Sequence, residues 1–403
     1  MSTMIDGLNL LDGSWYAEDS HRIFDEMRRT DPVHYDPVGA VWGVFKHADV
    51  LTVEKDATTF SSHRAPRPHG EHLPTMISMD DPEHQRRRSL VNRGFTPKRV
   101  AAHQPMMRQL CRRIINGVCE QGSCDFVWDI AARLPLYVIA ELMGYEPDLY
   151  DDLLRWSEEI MGPTADDMVT PEQIAKVLQG TNRAIEEFNE AQLGIIADRR
   201  AHPRDDVITT LCQAEIDGAR LDDESIVQEM LLILIGGDET TRHVLSGGML
   251  ELIKHADQRD ALRSGAADIA VAAEEMIRWS SPVQNMGRTA TRDVTLRGRR
   301  MKEGDQLMLF YPSANRDEEV FENPHGFDIR RTPNPHVAFG IGTHFCLGAS
   351  LARLEVRMMI TEALRRLPDL ELATAGPLPR RASNFVSGLE RMPVTFTPTP
   401  AER

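Results

Sequence analysis

The run Phe339-Gly340-Ile341-Gly342-Thr343-His344-Phe345-Cys346-Leu347-Gly348 carries a cysteine out of a glycine-rich loop onto what reads as the start of a helix over 346 to 366. Glycine allows backbone angles and close approaches that any side chain would block. Gly340 and Gly342 therefore suit a loop lying against a flat ligand, and Gly348 lets the following helix lie on the same plane. A helix N-terminus favours negative charge and biases a thiol toward thiolate. Loop amides left unpaired can donate to the sulfur and tune a metal bound to it. An isolated cysteine is more often a small buried hydrophobe, so Cys346 needs support from the rest of the chain.

The elements that must position it follow from patterning. SHRIFDEMRR (20 to 29) has apolar residues at helical spacing and stops before Asp31-Pro32. Residues 58 to 78, rich in Pro, His and Ser without periodicity, read as a long loop of the kind that borders a ligand site. The stretch from 97 to 260 reads as almost unbroken helix. Within it, Asp222 to Lys254 opens on acidic residues and lacks proline, and its middle, MLLILI (230 to 235), is apolar on every face. A single helix of that length would cross a whole domain, about 50 Å at about 1.5 Å per residue. A further helix carries EEMIRW (274 to 279), and hairpin-like pieces close the chain near NFVSGLERMPVTF. The fold class expected is mainly α with small β-sheets, in one domain over 1–403. Its β-rich parts fall roughly in 1–95 and 280–335, its helical parts roughly in 97–280 and 346–366.

Composition bounds the function. At 403 residues, 41 % hydrophobic and 27 % charged, the chain is that of a soluble globular protein. A net charge of -16 argues against nucleic-acid binding, which needs a basic surface. Cys111, Cys119, Cys124, Cys212 and Cys346 form an odd set without CxxC pairs, which suggests neither a disulfide scaffold nor a zinc site. The N-terminus lacks a signal pattern, and no apolar run approaches the roughly 20 residues that span a bilayer. The expectation is a cytoplasmic monomer without a membrane anchor. Arg86, Arg87, Arg88, Lys98, Arg99, Arg108, Arg112 and Arg113 could form a local basic face, or be ordinary solvated helix charges.

The ten-residue run resembles the haem-binding signature of the cytochrome P450 superfamily. Gly236-Gly237-Asp238-Glu239-Thr240-Thr241, in the middle of the long helix, is similar to that family's oxygen-activation motif. Helix-interior glycines cost about 1 kcal/mol each relative to alanine, and buried acids carry a desolvation penalty. Close approach of the backbone to haem and dioxygen gives both a reason. The resemblance assigns Thr240 and Glu239 to proton delivery during oxygen activation. Glu275 and Arg278 in ExxR, with Arg331, resemble the family's buried structural triad. His84 and Arg88, four apart on one helix face, match the pattern for holding the haem propionates, as do Arg288 and His344. His336 lies near the loop without an assigned role. The resemblance implies the cytochrome P450 fold, with haem b between the long helix and the cysteine loop, Cys346 as the iron ligand, and Phe339, Gly340 and Gly348 against the cofactor.

The strings LLILIGGDETTRHVLSGG, FGIGTHFCLG and NFVSGLERMPV look like the actinobacterial steroid C26/C27-monooxygenases, which oxidise the terminal methyl of cholesterol and cholest-4-en-3-one. Departures concentrate in 61 to 76 and 160 to 180, which would shape the channel. Terminal methyl C–H bonds are stronger than the tertiary one beside them, so geometry must overrule intrinsic reactivity. A narrow apolar funnel should admit a branched tail end-on. Its candidate walls are Met76, Ile77, Ile233, Leu234, Gly237, Val283, Met286 and Val386, whose plainer reading is core packing. No flavin or iron–sulfur motif is present, so electrons from NAD(P)H would come through a ferredoxin and its reductase. Alternatives are hydroxylation of another lipid, terpene or polyketide, a peroxygenase, or a haem-containing ligand sensor without turnover.

Overall fold

The computed structural model describes residues 7–18, 20–161, 171–216 and 218–402, so part of the channel segment expected at 160 to 180 lies outside the described residues. Its spine is the helix Asp223–Lys254, 32 residues long. Asp222 caps it by accepting a hydrogen bond from the Ser225 amide at 2.8 Å, and Asp223 and Glu224 add negative charge to the first turn. The apolar-on-all-sides middle is packed on part of its circumference, with Leu231, Leu232 and Ile235 left partly exposed, by the helices around it: Arg133–Met143, Tyr150–Met161, Ile269–Ser280 and Ala349–Arg366 all pack against this central helix. Ile226, Met230, Leu234, Leu245 and Leu252 are completely buried in the resulting core.

The stretch from 97 to 260 is less continuous than its periodicity suggests. Gly122 takes φ +77°, and the strand Ser123–Asp125 follows it. Pro393–Thr395 pairs with that strand and with Glu371–Leu372 as the middle of a three-stranded sheet, while the chain just before it turns back on itself, with Arg380 bridging Leu389 in antiparallel fashion, as the hairpin-like reading expects. Most of the β-structure is one five-stranded sheet, ordered Val33–Asp36, Val41–Val44, Gln306–Phe310, Asn285–Ala290, Phe60–Ser61. Its pairs are antiparallel except Val41–Val44 with Gln306–Phe310. Aromatic stacking of Phe45 on Phe310, centroids 4.5 Å apart, helps lock that parallel junction. Among the described residues no helix is long and apolar enough to cross a membrane.

The last helix corrects one expectation. It spans Ala349–Arg366 with Gly348 as its N-cap, so Cys346 lies three residues before the helix and not on its first turn. The loop ahead of it bends at Gly340 (φ +64°) and Gly342 (φ +75°).

Candidate active site

Backbone hydrogen bonds hold the cysteine loop: the Cys346 amide donates to the Phe339 carbonyl at 2.9 Å, and the Gly340 amide to Val337 at 2.9 Å. The amides of Gly348 and Ala349 donate toward the Cys346 sulfur. Burial nevertheless pushes this thiol up, outweighing those amides and the Arg88 and Arg353 cations. The thiolate bias expected of a helix start is therefore not the net outcome for the free thiol, and deprotonation falls to a coordinated metal. The two loop glycines also differ from expectation. A β-carbon on Gly340 would stand 3.2 Å from a Glu54 carboxylate oxygen, and one on Gly342 would stand 2.8 Å from the Glu54 carbonyl oxygen. Both positions are shaped to protein, namely the helix His47–Lys55.

His84, on the helix Glu83–Asn92, is buried with its ring 4.1 Å from that of His344. Its Nδ1 lies 3.1 Å from Asp81 and 3.1 Å from the Thr343 hydroxyl, which donates to Asp81 at 2.8 Å. Burial lowers His84 and brings His344 down to about 3, with Arg288 adding to the second shift. Both imidazoles are neutral at pH 7 and can act on an anion as N–H donors. His344 Nε2 is buried without a partner among the described residues. Arg88 donates to the Phe345 carbonyl at 2.5 Å and reaches Thr343 O at 3.5 Å. Arg288 donates to Glu54 at 3.1 Å and to the Gly287 carbonyl at 2.7 Å; a guanidinium has five N–H donors, so these do not exhaust it. Glu54 was not anticipated, since VEKD reads as a solvated helix end.

Behind the loop, Glu275 gathers the expected triad. Arg278 donates to its two oxygens at 2.8 and 2.7 Å and Arg331 to Oε2 at 3.0 Å; the Asp328 amide and Asn334 side chain add 3.0 and 3.2 Å. Arg278 also binds the carbonyls of Asn315 and Pro324 at 2.8 and 3.1 Å. His336 lies 3.1 Å from Glu274, which Arg353 also binds at 2.7 and 2.9 Å. Despite burial, these partners hold Glu274 down at about 2.

The central helix presents a different picture. Thr240 donates to the Gly236 carbonyl at 3.1 Å, and Gly236 is exposed in mid-helix, with nothing among the described residues outside its own stretch of helix backbone within 4 Å of where a β-carbon would stand. Leu232, Ile235 and Thr240 are partly exposed there too, and Leu232, Gly236 and Thr240 recur every four residues on one face. Three of the expected pocket walls are displaced from it: Leu234 and Ile233 belong to the helical core, and a β-carbon on Gly237 would meet Ile139 at 2.9 Å. Of the others, Ile77, Val283 and Met286 are partly exposed, Met76 and Val386 are buried, and Val283 bridges Val386 across an isolated β-contact.

Glu239 points into a buried network that sequence reasoning did not foresee. Its oxygens lie 2.7 Å from Arg242, 3.1 Å from Arg381 and 3.6 Å from His243. Burial raises this carboxyl, but Arg242, His243 and Arg381 prevail and hold it well below the usual range. Asp238 accepts from Ser157 at 3.0 Å and is pushed up to about 7 by burial. Arg242 pairs with Glu158, which burial and the Glu239 charge raise to about 8. Among the described residues, Asp238 Oδ1, Arg242 Nε and both His243 nitrogens are buried without a hydrogen-bond partner.

The donor set fits a haem: a free thiol in the glycine loop, neutral histidines and arginines at hand for two carboxylates, a buried His344 nitrogen without a partner among the described residues, and an open glycine on the central helix. The cytochrome P450 family model matches residues 41–265 and 270–386. The chain belongs to the cytochrome P450 family and is a haem-dependent monooxygenase that uses O2. A Mycolicibacterium smegmatis protein named steroid C26-monooxygenase is 47 % identical over 393 residues, covering 97 % of this chain and 96 % of that one. One of the same name from Mycobacterium tuberculosis is 45 % identical, covering 98 % of each. A methyl-branched lipid omega-hydroxylase of Mycobacterium bovis is 36 % identical, covering 95 % of this chain and 93 % of that one. The crystal structure of CYP109E1 from Bacillus megaterium in complex with testosterone superposes with a TM-score of 0.85 at 34 % identity, covering 94 % and 97 % of the two chains.

Proposed function

We propose that this protein hydroxylates the terminal methyl of a branched alkyl tail, with the side chain of cholesterol or cholest-4-en-3-one as its substrate. The observation that carries the reading is the open face Leu232, Gly236, Thr240, apolar along its length and ending at one hydroxyl. Such a face offers a tail no polar handle, so position along it decides which carbon reacts. The names of the two relatives at 47 and 45 % identity support the sterol. The omega-hydroxylase at 36 % favours a second substrate of the same chemistry, a methyl-branched acyl chain.

In this reading Cys346 binds the iron of haem b, whose bound form supplies the oxidising chemistry. His84, His344, Arg88 and Arg288 hold its propionates, and Phe339 and the glycine loop lie against it. Thr240 orients a proton donor at its hydroxyl. Glu239, ionised among Arg242, Arg381 and His243, passes protons toward Thr240 through water. Ile77, Val283, Met286 and the Met76 and Val386 backbone segments exclude water from the tail.

Electrons come from NAD(P)H through a ferredoxin reductase and a ferredoxin. The basic face read from the sequence is divided: Arg87 and Arg88 leave it, while Arg108 and Arg112 stand near a groove to which Arg353 and Arg357, not part of that reading, also contribute. Arg87 and Arg88 turn inward, Arg87 to 3.7 Å from Glu229. Arg108, Arg353 and Arg357 line a groove of about 580 Å³ between the helices Gln104–Asn116 and Ala349–Arg366, and Arg112 lines the adjoining hollow. An acidic ferredoxin docks there, and charge reversal at Arg108 or Arg112 slows reduction most at low salt.

The test is a titration of the ferric protein with cholest-4-en-3-one, a methyl-branched fatty acid and a straight-chain fatty acid, following the spin-state shift, with mass spectrometry of products. Tight response to the sterol and a terminal alcohol support the reading. No sterol response, or hydroxylation at the tertiary carbon, overturns it.

A further inference from the structure

Glu54 is a carboxylate next to the cysteine loop to which no role has been assigned. It is the penultimate residue of the helix His47–Lys55, where a charged side chain ordinarily faces water, yet it is buried. Both oxygens are engaged. One accepts from Arg288 at 3.1 Å and from the Tyr311 hydroxyl at 2.5 Å; the other accepts from the Ile341 amide, between the two loop glycines. Those glycines take positive φ and leave room for Glu54 and no more, 3.2 Å at its carboxylate and 2.8 Å at its carbonyl. A buried carboxylate is retained only where partners compensate its desolvation. Here the partners are the cation expected at a propionate, Arg288, and the backbone that carries Cys346.

We infer that Glu54 is a positioning residue that sets the cysteine loop and neutralises Arg288, and that its charge keeps the reduction potential of the iron held by Cys346 low. The inference rests on Cys346 being the iron ligand and on Arg288 lying beside the haem. Reduction adds negative charge to the haem, so an uncompensated arginine nearby favours it and raises the potential. Glu54 cancels that cation. It also fixes the Ile341 amide, and with it the path of the chain to the sulfur.

Three variants of the haem-loaded full chain separate these effects. Glu54→Gln keeps size but removes the charge, and its NH2 must face a donor on one side. The expected result is a reduction potential shifted positive and a roughly tenfold faster loss of the thiolate-type spectrum of the reduced carbon monoxide complex, as when partners that orient a metal ligand are removed. Glu54→Asp keeps the charge, so its potential stays near that of the parent protein even if the loop loosens. The double variant Glu54→Gln with Arg288→Gln restores neutrality and brings the potential back toward the parent value. An unchanged potential in Glu54→Gln, equal shifts in the Gln and Asp variants, or no return in the double variant overturns the inference. Should Glu54→Gln fail to retain haem, the Asp variant and Arg288→Gln alone decide it: the Asp variant must hold the parent potential while Arg288→Gln lowers it. Failure of the underlying assignment looks different, because Cys346→Ala would then keep the thiolate-type spectrum.

Discussion

Two buried ionic clusters flank the candidate site, and they are built on opposite plans. Around Glu275, each carboxylate oxygen is taken up by arginine or amide donors and the arginines finish on backbone carbonyls, although Asn334 Oδ1 beside it is buried without a partner among the described residues. Around Glu239, charges are paired but hydrogen bonding is incomplete, with Asp238, Arg242 and His243 each keeping a buried atom without a partner. A carboxylate with both oxygens engaged is held in one arrangement, whereas several buried polar atoms left without partners carry a penalty that a bridging water would relieve. The first suits a scaffold under the cysteine loop; the second suits a route for protons.

That contrast predicts a graded set of responses. Glu275→Ala leaves Arg278 and Arg331 buried without their counter-ion and should cost about 3–5 kcal/mol, read as loss of haem-loaded protein and a lower denaturation midpoint. Glu239→Gln should be milder on stability but lower product formation roughly 100-fold, with the carbon monoxide spectrum unchanged. An equally large stability loss in both variants would erase the distinction. Gly237→Ala forces a methyl against Ile139 and should destabilise by about 1–3 kcal/mol, while Gly236→Ala has room and should instead weaken the sterol-induced spin shift.

The smallest effect is in pH. Glu355, buried on the helix Ala349–Arg366 with Oε1 unpartnered, is pushed up to about 8 by burial. A raised carboxyl binds its proton more tightly in the folded state, so its contribution to stability is full below the ordinary value near 4.5 and is lost as pH rises through about 8. Asp238 and Glu158 act in the same direction. The lowered histidines His84 and His344 act the opposite way, so the contribution of Glu355 is read as a difference: from pH 5 to 8 the thermal midpoint of Glu355→Gln should rise relative to that of the parent protein, and a difference that does not grow in that direction would contradict it.

Much of this was legible from residue types at fixed spacing. The central helix was placed within one residue, because its acidic start and missing proline are local signals. Glu275, Arg278 and Arg331 do meet as the resemblance implied. The pocket face was not legible, since MLLILI is apolar on every side and carries no phase; only neighbours such as Ile139 decide which residues turn inward. Arg381 and Glu54 were missed for a related reason. Each lies far along the chain from its partner, 142 residues from Glu239 and 287 from Ile341, and nothing in its local sequence marks a buried charge.

The same separation bears on how the molecule is made. During synthesis at about 5–20 residues per second, the strand Val41–Val44 must wait for Gln306–Phe310, and Glu54 for a loop emerging later still. Until then the helix His47–Lys55 has only the pair Val33–Asp36 and Val41–Val44 to pack on, and Glu54 lacks its counter-ion Arg288. The nascent chain thus completes its cofactor clamp last, and protease sensitivity within residues 47–55 should persist in stalled chains that end before the cysteine loop and vanish in the finished protein.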